Sequence, residues 1–307
     1  MKISGKLAKI IRYLNKRDLM SFIKGTIVLS IVILNTLFWV PILIAFSIIK
    51  LIIPIPFIQN VLSKFLVWIA ENWIWMNTAS HQLLHGNKVK VSGLQQLDND
   101  DWYLVVSNHR AAADIPILQN VFHRKIPFLK FFLKKELIWV PLLGIAWWAL
   151  DFPFMRRFSA EYLAKNPKMK GKDLEVTRKA CEKFKDFPIS VLNFIEGTRF
   201  SEAKRKKQHS KFKHLLKPKS GGIGFVLGSM GLQMTYMLQV SIKYSPKAPS
   251  AWGYLSGRYD KVEIIIEKIK IPMNLKNKNY ITDKVFRKDL QVWLNDLWCE
   301  QDARLGD

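Results

Sequence analysis

The chain has 307 residues, with 48 Lys and Arg against 24 Asp and Glu, a net charge of +24, yet 49% of it is hydrophobic. That length leans toward one large domain with a membrane element, and the charge calls for an anionic neighbour, either nucleic acid or an anionic membrane surface. The two cysteines, Cys181 and Cys299, are too few for a disulfide framework and form no zinc-type cluster, as expected of a reducing compartment.

Residues 25–49 contain no charged side chain, and after Lys50 the apolar character resumes as far as Phe57. As a helix, at about 1.5 Å per residue, such a run spans a hydrocarbon core of roughly 30 Å. A nucleic-acid binder rarely carries such a run, so the sequence favours a membrane over nucleic acid as partner. A cleaved signal peptide has an apolar region of only about 7–15 residues and a small-residue cleavage site, and this segment has neither. Lys2, Lys6, Lys9, Arg12, Lys16, Arg17 and Lys24 precede the run, and the chain after it is basic too. Positive segments prefer the cytoplasmic side. The sequence therefore predicts a hairpin within residues 25–57 that enters and returns, breaking near Pro41 or between Lys50 and Pro56, with both ends cytoplasmic. Trp68, Trp73 and Trp75, set among Phe65, Leu66 and Ile69, predict a helix at the headgroup level. His81 and His85 stand at helical spacing, but no acidic or cysteine partner stands where a metal site would need it. No metal is expected. These features divide the chain into residues 1–80, the membrane element, and residues 81–307, a second domain.

Beyond Gly93 short apolar runs alternate with longer mixed segments, which predicts an α/β domain. Residues 103–106, 188–195 and 237–244 read as buried strands, and 262–269 as a partly exposed one. Residues 160–184 and 285–298 read as helices. The basic stretch Lys204, Arg205, Lys206, Lys207, Lys211, Lys213, Lys217 and Lys219 reads as a solvated loop or an anion-facing surface. Gly222, Gly224, Gly228 and Gly231 miss the dinucleotide-loop spacing, since its third glycine would fall on Leu227, and they predict close helix packing instead.

The chemistry centres on Asn108, His109 and Asp114, directly after the strand that ends near Val106. Open α/β sheets bind their ligands at the carboxyl ends of strands. Asp114 can cap the next helix, with Pro116 tolerated in its first turn. Five residues apart on one helix, His109 and Asp114 would point about 140° from each other, but they can meet if His109 sits on the preceding loop. A carboxylate on one imidazole nitrogen fixes the tautomer and frees the other nitrogen as a general base. A second strand-like run ends in Glu196, Gly197, Thr198 and Arg199, where glycine permits close backbone approach and the next two residues offer phosphate donors.

Taken together these motifs resemble the glycerol-phosphate and lysophospholipid acyltransferase family, especially its 1-acylglycerol-3-phosphate members. The resemblance covers roughly residues 90–245. Asn108, His109 and Asp114 match its first motif and Glu196, Gly197, Thr198 and Arg199 its third. Between them Lys135, Leu137, Pro141, Gly144, Phe154 and Arg156 match the second. The resemblance implies an acyltransferase domain with a central mixed sheet flanked by helices. It implies that His109 is the base and Asp114 its orienting partner, and that Lys135, Arg156 and Arg199 hold the acceptor's phosphate. Asn108, Glu196, Gly197 and Thr198 would join the substrate-binding set. The implied substrates are a lysophospholipid and an acyl thioester carried by coenzyme A or acyl carrier protein, with no cofactor, at the cytoplasmic face of the inner membrane. Two departures stand out. Arg110 and Ala111 to Ala113 replace the usual Gln-Ser and bulky residues, and the fourth motif is not recognisable in residues 237–242.

Overall fold

In the computed structural model the chain is described over residues 16–155 and 188–306. The helix expected over residues 160–184, together with Arg156 and Cys181, lies outside those residues.

Two long helices open the structure, α1 (Lys16–Ile52) and α2 (Pro56–His85). They form a hairpin that turns inside residues 25–57 as the sequence suggested, but its arms reach well beyond them, from Lys16 to His85. α1 passes straight through Pro41. The hydrogen bond that proline forgoes is offset locally by burial of Val40 and Leu43 in the main core. The break falls at residues 53–55, the second of the two places expected, where Pro54 and Pro56 drive the residues before them out of helical geometry; Ile55 is extended. The returning arm is the tryptophan-rich stretch. Asn35 locks the two arms by donating to the Trp73 carbonyl (2.9 Å) and to Asn77 Oδ1 (2.8 Å), and the Trp73 indole donates to Thr36 Oγ1 (3.1 Å). The boundary expected after residue 80 falls within α2.

A six-stranded mixed sheet follows: β1 (Val89–Ser92), β2 (Tyr103–Ser107), β3 (Leu129–Phe131), β6 (Ser190–Phe194), β7 (Tyr236–Ser245) and β8 (Lys261–Lys270), in the order β1-β8-β7-β2-β6-β3. Only β7 and β8 run antiparallel. A small ladder, β4 (Leu133–Lys134) with β5 (Phe154–Met155), stands apart. β2 has parallel neighbours on both sides and is buried throughout, which is why residues 103–106 read as an unbroken apolar run.

Alternation along β2 splits the core in two. Tyr103 and Val105 face the hairpin together with α3 (Asp114–Phe122) and α4 (Leu143–Ala149). Leu104 and Val106 face α6 (Gly221–Met230) and the C-terminal helix α8 (Lys284–Gly306). The hairpin thus shares one core with the sheet, and it is also fixed at its ends. Asp18 pairs with Arg258 (3.4 Å), just beyond the short helix α7 (Ala251–Leu255), and Lys50 pairs with Asp151 beyond α4 (3.1 Å). Elsewhere α1 turns a largely apolar surface outward, including Ile27, Leu34, Leu37, Phe38 and Leu51. It is the one described helix long and apolar enough to cross a membrane. The glycines of α6 serve packing, as expected: a Cβ on Gly224 would come within 2.0 Å of the Tyr280 ring.

Candidate active site

Because β2, β6 and β7 are parallel neighbours, their carboxyl ends open on one edge of the sheet. β2 delivers His109 to that edge, β6 delivers Glu196, and β7 ends in Tyr244. Asp114 opens α3 one turn beyond His109, and the two meet: His109 Nδ1 lies 2.7 Å from Asp114 Oδ2. The same oxygen accepts the amides of Arg110 (2.6 Å) and Ala111 (3.0 Å). Asp114 therefore organises the loop carrying His109 rather than capping the end of α3 that follows it. Its other oxygen accepts from the Tyr244 hydroxyl at 2.6 Å. With the carboxylate as acceptor, Nδ1 carries the proton and Nε2 keeps its lone pair. The imidazole stacks on Phe194, centroids 4.1 Å apart, and keeps 16% of its side-chain surface exposed. Such a ring is held in place and still reachable.

Glu196 sits behind it, fully buried. Its two oxygens accept the amides of His109 and Leu216, each at 3.3 Å. Burial pushes its carboxyl up to about 8, against the pull of those amides and of the Arg110 charge. Such a raised folded-state value stabilises the protein fully below the unfolded value near 4.5, and that contribution is lost as pH climbs toward 8. Replacing Glu196 by Gln should flatten this dependence. Between pH 5 and 8 the wild type should lose on the order of a few kcal/mol more stability than the variant, as read from denaturant unfolding at each pH. Parallel curves would mean that the carboxyl is ionised throughout.

Asn108 is fully buried as well. Its amide donates to the Ile242 carbonyl (3.0 Å) and its oxygen accepts the Ile242 amide (2.8 Å), stitching the end of β2 to β7. The sequence reading set Asn108 and Glu196 against the substrate, and the structure corrects both placements. A polar side chain at the end of a buried strand must satisfy the backbone around it, so each faces inward and shapes the loop.

The other motif residues are outward. Gly197 adopts a positive φ of 70°, and Lys219 lies so close that a Cβ there would sit 3.2 Å from its Nζ. Thr198 accepts from Lys204 Nζ at 2.8 Å, and that ammonium also donates to the Arg199 carbonyl (2.9 Å). Arg199 is exposed, and the next residue, Phe200, donates its amide to the His109 carbonyl at 2.8 Å. The basic stretch is thus no loose loop at its start: Ser201 caps α5 (Glu202–Lys207), which sets Lys204 against the turn. Lys135 is exposed at the head of a 3-10 turn, Lys135–Trp139, directly after β4. β3 is parallel to β6, so its carboxyl end, four residues before Lys135, lies at the same end of the sheet. The Nε2 groups of His81 and His85 donate to the carbonyls of Tyr254 (3.0 Å) and Leu255 (2.9 Å), and no cluster of residues that could hold a metal occurs among the described residues.

Residues 88–233 match the family model described as Acyltransferase. Those residues carry an acyltransferase domain. Curated relatives of this acyltransferase domain include a human 1-acyl-sn-glycerol-3-phosphate acyltransferase gamma, 24% identical over 188 residues, covering 57% of this chain and 44% of the relative. Another is 1-acyl-sn-glycerol-3-phosphate acyltransferase 3 of Arabidopsis thaliana, 23% identical over 217 residues, covering 66% of this chain and 52% of the relative. The chain thus spans about half the length of the curated relatives it matches. A crystal structure of the 1-acyl-sn-glycerophosphate (LPA) acyltransferase PlsC from Thermotoga maritima superposes with a TM-score of 0.48 at 16% identity. It covers 92% of this chain and 98% of that one.

One residue of the candidate site escaped the sequence reading. Tyr244 lies 130 positions from Asp114 and looks like any strand aromatic. Burial and the adjacent Asp114 charge hold its phenol far above the ordinary range, so it stays a hydrogen-bond donor at any physiological pH. The signal that could have marked it was the polar tip on a strand position otherwise alternating with aliphatics.

Proposed function

We propose that the chain moves a fatty acyl group from an acyl thioester to the free hydroxyl of 1-acylglycerol-3-phosphate, giving phosphatidic acid. The observation that carries the reading is His109, anchored through Nδ1 to a buried carboxylate at a sheet edge, with Arg199 exposed beside it on the adjoining turn. His109 Nε2 takes the hydroxyl proton as that oxygen bonds to the thioester carbonyl carbon. The C–S bond then breaks as the carbonyl reforms, and the departing thiolate takes the proton back from the imidazolium. No metal or prosthetic group enters this scheme. Lys135, Arg156 and Arg199 hold the acceptor's phosphate, with Gly197 and Thr198 shaping the turn, while Asn108 and Glu196 position the loop. Purified protein assayed with a panel of lysophospholipids, and with both coenzyme A and acyl carrier protein thioesters, tests this. Transfer to a different headgroup would redirect the acceptor assignment, and the absence of any transfer would end it.

The outward apolar face of the hairpin supports a seat in the cytoplasmic membrane, with both ends and the catalytic edge on the cytoplasmic side. A cysteine replacing Lys16 and the native, exposed Cys299 should then react with a membrane-impermeant thiol reagent from the same side of sealed vesicles. Labelling from opposite faces would exclude the arrangement.

A further inference from the structure

We propose that Gln301, near the end of α8, is a positioning residue for His109. The inference rests on His109 being the base. α8 lies outside residues 88–233, and none of the sequence motifs reaches it.

Along β7, Leu238, Val240 and Ile242 point to the hairpin side of the sheet, which leaves Gln239 facing α8. An apolar side chain would serve a purely packing role there, and a buried amide is tolerated only where its groups are matched. Here they are matched toward the catalytic loop. Gln301 is fully buried, and its Nε2 donates to the Val240 carbonyl (2.9 Å) and to Asn108 Oδ1 (3.4 Å). Its oxygen accepts from Gln239 Nε2 (3.0 Å), which also donates to the Leu297 carbonyl (2.7 Å). Asn108, immediately before the histidine, is therefore held between β7 and α8.

Two further contacts from the same stretch of α8 reach the other side of His109. The Trp298 indole donates to the Leu216 carbonyl (3.1 Å), and Leu216 donates its own amide to Glu196. Asp302 accepts the amides of Lys213 (2.8 Å) and His214 (2.7 Å), and the His214 carbonyl accepts from the Arg110 guanidinium (2.9 Å). Residues 108, 110 and 196 all touch or adjoin His109, and each is referred to the last turns of α8. Phe286, Leu290 and Leu294 already dock that helix on the sheet. The polar contacts add direction.

Gln301→Met keeps the side-chain length and removes the donors, Gln301→Glu keeps the shape, and Lys288→Ala on the exposed face of α8 is the control. Each is compared with wild type in thermal unfolding, in kcat and KM for both substrates, and in amide exchange of residues 104–112. The expected result is a fall of about tenfold in kcat, with both KM values within about twofold of wild type. Exchange in the segment should be faster in the folded Gln301 variants and unchanged in Lys288→Ala. Normal kcat and normal exchange in either folded Gln301 variant would overturn the proposal. So would a kcat loss reproduced by Lys288→Ala. A wild type with no acyl transfer would instead sink the proposed function, and the exchange comparison alone would still decide whether α8 orders the loop.

Discussion

Replacing His109 with Ala should lower turnover by about 10²–10⁴-fold, the usual contribution of a general base, while the protein still folds and stays with the membrane. The fold should survive because the imidazole is held by one carboxylate and one aromatic face and fills no closed part of the core. Its neighbours Asp114 and Glu196 keep their backbone donors without it. Asp114→Asn should fall almost as far, by a different route. An amide at that position can offer its nitrogen to the imidazole and favour the wrong tautomer, leaving Nε2 protonated and unable to accept. It would also disturb the loop, since Oδ2 gathers two amides in addition to the imidazole. Steady-state rates with matched circular dichroism spectra check both variants. Near-normal turnover in His109→Ala would remove the mechanism, and normal turnover in Asp114→Asn alone would confine Asp114 to shaping the loop.

Arg199→Ala should raise the KM for the phosphate-bearing acceptor by about tenfold or more and leave that for the acyl donor nearly unchanged. A guanidinium fork holds phosphate through paired charge-assisted hydrogen bonds, each worth about 1.5–3 kcal/mol. The side chain is exposed, while its backbone is fixed from two sides: Lys204 binds its carbonyl, and the Phe200 amide bonds the carbonyl of His109. A phosphate held there would stand at a set distance from the base, so its loss should cost turnover as well as binding. Lysine at this position should restore only part, keeping charge without the fork. Varying each substrate in turn separates the alternatives, and a selective rise in the donor KM would assign Arg199 to the thioester carrier.

The parts of this arrangement that were legible in the sequence are those written in local pattern. Residues 103–106 announced a buried strand because both faces of β2 are covered, and a strand end giving way to a helix start allowed His109 to meet Asp114. The hairpin was legible in kind and misplaced in extent. Its returning arm carries Glu71, Asn72, Asn77 and three tryptophans, of which Trp68 and Trp75 are exposed, so it reads as an interfacial helix until Asn35 is seen bonding across to Trp73 and Asn77. Asn108 and Glu196 looked like ligand contacts because motif membership does not say which way a side chain points. Tyr244 offered only its polar tip as a sign, and Gln239 and Gln301 gave none, since their partners lie 58 to 193 positions away and only the sheet order and the docking of α8 bring them together.

The two ion pairs that pin α1, Asp18 with Arg258 at one end and Lys50 with Asp151 at the other, are each only partly buried and worth little as stability. Their placement has another effect. Together with the shared core they tie both ends of α1 to the sheet domain, so that under the proposed seat the candidate site would keep one height and tilt over the surface on which the apolar face rests. Under the proposed seat, the enzyme could not dip to collect a lipid or rise to meet a carrier. Each substrate would have to arrive at that altitude by its own motion, the lipid by lateral drift in its leaflet and the thioester from the water above.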